Sequence, residues 1–105
     1  MFSLSIKDIT FAFLDVETTG LSPNCGDKIC EIGVLRVRNG KRCRSFHSLV
    51  DPGREVSVGA YMVNGITKTM LKGKPRFSQI ASCVLKMLDK AVIVCHNAPF
   101  DLGFL

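Results

Sequence analysis

The chain has 105 residues, 47% of them hydrophobic and 22% charged, with 14 Lys and Arg against 9 Asp and Glu for a formal net charge of +5. These figures suit one small globular domain with a modest core and exclude a disordered tail. No apolar run approaches the roughly 20 residues of a membrane helix, and Met1-Phe2-Ser3-Leu4-Ser5-Ile6-Lys7 lacks the basic-then-apolar order of a secretory signal. The five cysteines (Cys25, Cys30, Cys43, Cys83, Cys95) are odd in number and contain no C-x-x-C pair. They read as reduced, mostly structural thiols of a cytoplasmic protein rather than a disulfide framework or zinc site. The positive balance is compatible with a polyanionic partner and does not demand one.

Residues 1–9 read as a lead-in to a first strand from about Thr10 to Val16. This strand delivers Asp15-Val16-Glu17-Thr18-Thr19-Gly20-Leu21. Side chains alternate across a strand, so Asp15 and Glu17 share one face while Val16 points to the other. No Lys or Arg lies within six residues of either acid. Two such carboxylates must take up protons or be neutralised from outside the local sequence. A divalent cation is the natural partner, since Mg²⁺ is held by one or two carboxylates and completes its shell with water and phosphate oxygens. Taken alone, Asp-x-Glu also fits a strand end that leads into a solvated turn.

Leu21 to Asp27, with Pro23, Asn24 and Gly26, reads as a loop. A second strand from about Lys28 to Arg38 and a third from about Lys41 to Val50 flank Asn39-Gly40, a type I′ hairpin signal. The hairpin tip carries Arg36, Arg38, Lys41, Arg42 and Arg44. A solvated end guarded by charge is the favoured reading over a phosphate-contacting patch, because nothing in the sequence places the tip near Asp15. Val56, Ala60 and Val63 suit a short helix capped by Asn64-Gly65, and Ile66-Thr67 opens another short turn ending near Leu71.

After Pro75 the pattern is plainest. Phe77, Ile80, Ala81, Val84, Leu85 and Leu88 predict one apolar helix face, ended by Asp89-Lys90. Ala91 to Cys95 is wholly apolar and predicts a central strand buried on both faces. A helix leading into such a strand implies a parallel crossover beside the first strand. In the closing stretch His96-Asn97-Ala98-Pro99-Phe100-Asp101-Leu102-Gly103-Phe104-Leu105, Pro99 marks a first helical turn, with Phe100, Phe104 and Leu105 on its buried side. Asp101 projects from that turn. Active sites of α/β proteins form at the ends of adjacent parallel strands, so this topology can bring Asp101 to Asp15 and Glu17. In isolation Asp101 equally suits a helix N-terminal acid.

Asp15-x-Glu17-Thr18-Thr19-Gly20-Leu21 resembles the first exonuclease motif of the DnaQ-like (DEDD) 3′–5′ exonucleases, the group of the proofreading epsilon subunit and PolC-type domain of bacterial DNA polymerase III. Asn97-Ala98-x-Phe100-Asp101 resembles the second motif. Val63-Asn64-Gly65-Ile66-Thr67 resembles a further stretch, where the family often has His at the place of Asn64. The resemblance covers about Phe11 to Leu105.

It implies a ribonuclease H-like α/β fold, a mixed sheet of three antiparallel strands plus a parallel central strand with flanking helices. It also implies two-metal hydrolysis of 3′-terminal phosphodiesters, with Mg²⁺ or Mn²⁺ held by Asp15, Glu17 and Asp101. Thr18, Thr19, Gly20 and Leu21 would cradle the terminal nucleotide, and Asn97 would lie beside the substrate strand. The implied partners are a single-stranded 3′ end of DNA (or RNA) and polymerase subunits. The family's base is a histidine of a third motif, followed some residues later by a fourth acid, and both are absent here. His96 reads instead as a buried strand-end residue donating to a carbonyl. Residues 1–105 are therefore expected to be the N-terminal part of one exonuclease domain, incomplete at its C-terminus and inactive or nearly so alone. A non-catalytic binding module on the same fold is the alternative.

Overall fold

The computed structural model describes residues 5–105, so the lead-in reading of residues 1–4 lies outside the described part. Three strands, β1 (Thr10–Thr18), β2 (Ile29–Arg38) and β3 (Lys41–Leu49), form an antiparallel meander. Asn39 and Gly40 take φ of 53° and 73°, the left-handed pair that a type I′ turn requires. The turn fixes the β2–β3 register, with Arg38 opposite Lys41, while β1 pairs with β2 so that Asp15 stands opposite Gly33 and Glu17 opposite Glu31. Alternation along β1 then buries Ala12, Leu14 and Val16 on one face and leaves Phe13 and Asp15 exposed on the other.

The buried face is covered by α3 (Phe77–Leu88), which follows the two short helices α1 (Val58–Asn64) and α2 (Lys68–Leu71). Ile80, Val84 and Met87 are buried against Leu14, Ile32 and Val34, with Phe77 and Leu88 packed beside them. The sequence-based face needs one correction, because Leu85 is 66% exposed. At 100° per residue the stripe centred on Val84 runs from Met87 to Ala81, and Leu85 falls just outside it. The end of α3 is held by Arg36, whose Nη1 donates to the carbonyls of Met87 and Asp89 at 2.8 Å each. That arginine satisfies carbonyls that lack a partner at a helix end. A second cluster of Cys30, Ile66 and Leu71, with Leu49 and Val56, fastens the α1–α2 segment to the sheet.

From α3 the chain enters β4 (Val92–Val94), parallel to β1 with Phe11 opposite Val92 and Phe13 opposite Val94. The sheet order is β3-β2-β1-β4. The mixed sheet is as expected, but among the described residues β4 is an edge strand, not a central one, and Val92 is half-exposed. An apolar run of five residues shows that a strand is buried against something and does not by itself fix its place in the sheet. The cysteine reading also needs adjustment. All five are free, yet only Cys30 is buried, while Cys25, Cys43 and Cys83 are exposed. Burial, with the charges of Glu17 and Glu31 nearby, pushes the Cys30 thiol up to about 11, so it is a protonated core residue.

The helix correction is directly testable. Met87→Ala should cost about 2–5 kcal/mol of stability. Leu85→Ala should stay within about 0.5 kcal/mol of the parent. Urea unfolding of both variants measures the contrast.

Candidate active site

Three carboxylates converge where β1 and β4 end. Asp15 and Glu17 stand on the face of β1 that α3 leaves open. β4 stops beside Phe13, and Cys95 to Asn97 lead into α4 (Ala98–Gly103), which packs against β1. Asn97 caps this helix by accepting from the Phe100 amide at 3.4 Å, and Pro99 occupies its first turn. Asp101 is thereby turned inward and is only 5% exposed. Phe100 and Phe104 lie with ring centroids 5.0 Å apart, and Phe104 joins the main core to anchor the helix. Leu105, expected on the buried side, is half-exposed.

The electrostatics report the same convergence. Burial raises the Glu17 carboxyl above the ordinary range, and the charges of Asp15, Glu31 and Asp101 raise it further. Burial and then Asp15 raise Asp101, with His96 acting in the opposite sense. No Lys or Arg contributes to either shift. The donor set is all oxygen, hard and anionic, which fits Mg²⁺ or Mn²⁺ better than softer metals. Among the described residues no three His, Cys, Asp or Glu side chains are grouped tightly enough to enclose an ion. The acids are neighbours but not a closed cage.

Two clefts lie beside these acids, one reached by Glu17 and the other by Asp15. One, of about 360 Å³, lies between the Thr18–Leu21 loop and α1, lined by Glu17, Thr18, Gly20, Leu21, Asn64 and Phe100 among others. Its rim is apolar, with Leu21 and Val63 each more than four-fifths exposed. The other, of about 430 Å³, is lined by Phe13, Asp15, Val94, Cys95 and His96. His96 is exposed, which corrects the expectation of a buried histidine. β4 is too short to carry it into the interior.

The loop that carries Thr18, Thr19, Gly20 and Leu21 is held by a residue the motif reading passed over. Thr19 is fully buried, and its hydroxyl donates to Asp27 Oδ1 at 2.9 Å while accepting from the Lys28 amide at 3.1 Å. The other Asp27 oxygen accepts from the Ser22 amide at 3.1 Å. The Ser22 and Thr19 bonds hold the Asp27 carboxyl below the usual range. A Cβ on Gly20 would collide with the Asp27 carboxylate, so this position admits no side chain without displacing that group. Thr18 donates to the Gly20 carbonyl at 2.6 Å.

Asn64 completes the frame. Its Nδ2 donates to the Thr18 carbonyl at 3.3 Å and its Oδ1 accepts from the Ile66 amide at 2.9 Å, and its side chain opposes the rise of the Glu17 carboxyl. The group of Thr18 to Leu21 thus divides by role. Leu21 and the loop backbone face the cleft, and the Thr19 side chain holds the loop's shape from beneath. Asn97 is exposed at the start of α4.

A family model described as Exonuclease matches residues 12–105. The DNA polymerase III subunit epsilon of Rickettsia prowazekii is 43% identical over 105 residues, covering 96% of this chain and 43% of that protein. A DNA polymerase III subunit epsilon-like protein of Rhodobacter capsulatus is 42% identical over 102 residues, covering 95% of this chain and 14% of that protein. The PolC-type DNA polymerase III of Thermotoga maritima is 41% identical over 98 residues, covering 93% and 7%. The chain therefore spans less than half the length of these relatives. Among solved structures, exonuclease X in complex with 5′ overhanging duplex DNA superposes with a TM-score of 0.76 at 30% identity, covering 90% of this chain and 53% of that one. Product-bound exonuclease I gives a TM-score of 0.80 at 22% identity, covering 91% and 24%, a likeness of fold.

The raised carboxylates set the sign of a pH dependence. Glu17 and Asp101 bind protons more tightly folded than unfolded, so between about pH 4 and their raised values the folded state holds more protons. Without metal, their contribution to stability should fall as pH rises through that window. Asp27 acts oppositely and in a lower window, its contribution being lost as pH falls below about 4. Asp15→Asn removes the charge acting on both raised acids. Thermal melts from pH 4 to 7 in chelator should show a flatter decline for this variant than for the parent.

Proposed function

The chain belongs to the exonuclease family, and on that premise we propose that it forms the nuclease core of a metal-dependent 3′–5′ exonuclease of the polymerase proofreading type. The observation that carries the reading is the meeting of Asp15, Glu17 and Asp101, with no Lys or Arg to offset them, beside a cleft floored by the Thr18–Leu21 loop. Asp15, Glu17 and Asp101 would hold two divalent ions, closing inward from their present spacing as the ions bind. Bound, such ions supply a hydroxide nucleophile at neutral pH and charge stabilisation for the leaving 3′ oxygen.

The chain's own residues do the rest. Leu21, Val63 and Phe100 offer an apolar seat for the terminal base, and the loop backbone, fixed by Thr19 and Asp27, keeps the terminal sugar in place. Asn97, at the rim, stands where the departing strand passes. Asn64 ties α1 to the end of β1, so that the cleft wall and the carboxylates move as one body. The substrate is the 3′ end of DNA, in keeping with the DNA held by exonuclease X and with the polymerase names of the relatives. Polymerase subunits are the proposed protein partners.

No histidine follows His96 and no acid follows Asp101 in the 105 residues. The chain therefore offers three acids and no positioned histidine base, and loss of a general base typically costs about 10²–10⁴ in rate. A 5′-labelled single strand with Mn²⁺ tests this. The chain should bind the strand with a preference for a free 3′ hydroxyl over a 3′ phosphate, lose that preference in Asp101→Asn, and release 3′ nucleotides at least 10²-fold more slowly than a full-length epsilon relative, in line with that estimate. Binding without any preference for the 3′ hydroxyl favours the non-catalytic module. Release at the relative's rate contradicts the role given to the absent histidine.

A further inference from the structure

Between Glu31 and Asp51 the chain carries five Arg and Lys and no Asp or Glu. The β2–β3 register sets these charges against each other, Arg36 opposite Arg44 and Arg38 opposite Lys41. Like charges directly across a strand pair are destabilising. Two of the five have local work. Arg36 holds the end of α3, and Arg38 Nη1 donates to Thr10 Oγ1 at 3.3 Å. Among the described residues the side chains of Lys41, Arg42 and Arg44 make no hydrogen bond or ion pair, and all three are exposed. Arg36 also draws in the end of α3, whose last turn and exit add Lys86 and Lys90, with Asp89 between them.

Protection of the outer β3 edge does not account for this pattern. Edge protection needs charge on β3 alone, and either sign serves. Here one sign occupies both strands, in opposed pairs, around the turn that joins them. Seven residues of β2 separate Glu31, which faces Glu17, from Arg38. At about 3.3 Å per residue the tip stands roughly 23 Å along the sheet from the acids.

We propose that the tip of this hairpin is a second nucleic-acid contact, holding the phosphate backbone of the substrate several nucleotides away from the 3′ end in the cleft. Phosphates neutralise opposed arginines without base recognition, so the contact is independent of sequence. The inference rests on the exonuclease reading for its substrate, and its test is separable from that reading. The acidic surface of a protein partner is the competing occupant.

The test is the salt dependence of binding to a fluorescent 20-base-pair duplex and to a single strand of equal length, comparing the parent with Lys41→Gln/Arg42→Gln/Arg44→Gln. Each lost phosphate contact lowers the slope of log K against log salt by about 0.9 on duplex and about 0.7 on single strand. The variant should lose two to three such steps and bind several-fold more weakly at low salt. It should melt no lower than the parent, because opposed like charges have been removed. A dinucleotide, too short to span cleft and tip, should bind both proteins alike.

An unchanged slope overturns the proposal, as does a variant whose weakened binding tracks lost stability. Poly-glutamate that binds the parent better than DNA and the variant not at all assigns the surface to an acidic protein instead. Asp15→Ala separates the two sites: it should lose the preference for a 3′ hydroxyl while keeping the parent's salt slope. If that preference is absent from the start and the hairpin variant still changes the slope, the exonuclease reading fails and the hairpin contact stands.

Discussion

Burial of neighbouring carboxylates, with their mutual repulsion added, is the constraint on which this structure turns. Asp15, Glu17 and Asp101 are brought together by a strand end and a helix start, and no Lys or Arg among the causes of their shifts offsets them. A fold selected for stability alone would space these groups apart or pair each with a cation. Holding them together stores a demand for positive charge that no Lys or Arg beside them meets. The surrounding architecture serves to keep the acids in place against that repulsion. The β1–β2 register presents two of them, α3 clamps β1 from behind, and Phe104 pins α4 so that Asp101 cannot swing away.

The same rigidity shapes the cleft. Asp27 lies outside the acid cluster, yet it determines the path of the chain from Thr18 to Leu21 by bonding Thr19 beneath it and the Ser22 amide beyond. Gly20 is small because Asp27 occupies the volume its Cβ would need. Asn64 joins this loop to α1. The result is a wall and floor built from polar groups that satisfy one another, so that the surface left to a ligand is mainly apolar side chains and loop backbone.

Much of this was legible in the sequence. Asp15 and Glu17 share a face because alternation demands it. Asn39-Gly40 sets the hairpin because only a few residue pairs accept two left-handed conformations, and Gly65 closes α1 as expected, with φ of 69°. The convergence of Asp101 with the first motif followed from a helix leading into an apolar strand. Other features were hidden because they depend on contacts between residues distant in the chain. Nothing local marks Arg36 as a cap for α3, more than fifty residues away. The place of β4 at the outside of the sheet could not be read from its composition, and the same holds for the exposure of His96. Asp27 looked like one more polar loop residue until the fold set Thr19 beside it. Leu85 lies about 100° from Val84 on one side and Met87 about 60° on the other, and only the packing of Val84 shows where the buried stripe is centred.

The central claim is that the three acids together form a divalent-ion site. Calorimetric titration of Mn²⁺ into the protein and into Asp15→Ala, with circular dichroism on both samples, tests it most directly. The account predicts saturable binding by the parent that is lost in the variant while the helical signal is unchanged. A folded parent that takes up no Mn²⁺, or a variant that binds as well as the parent, would contradict it.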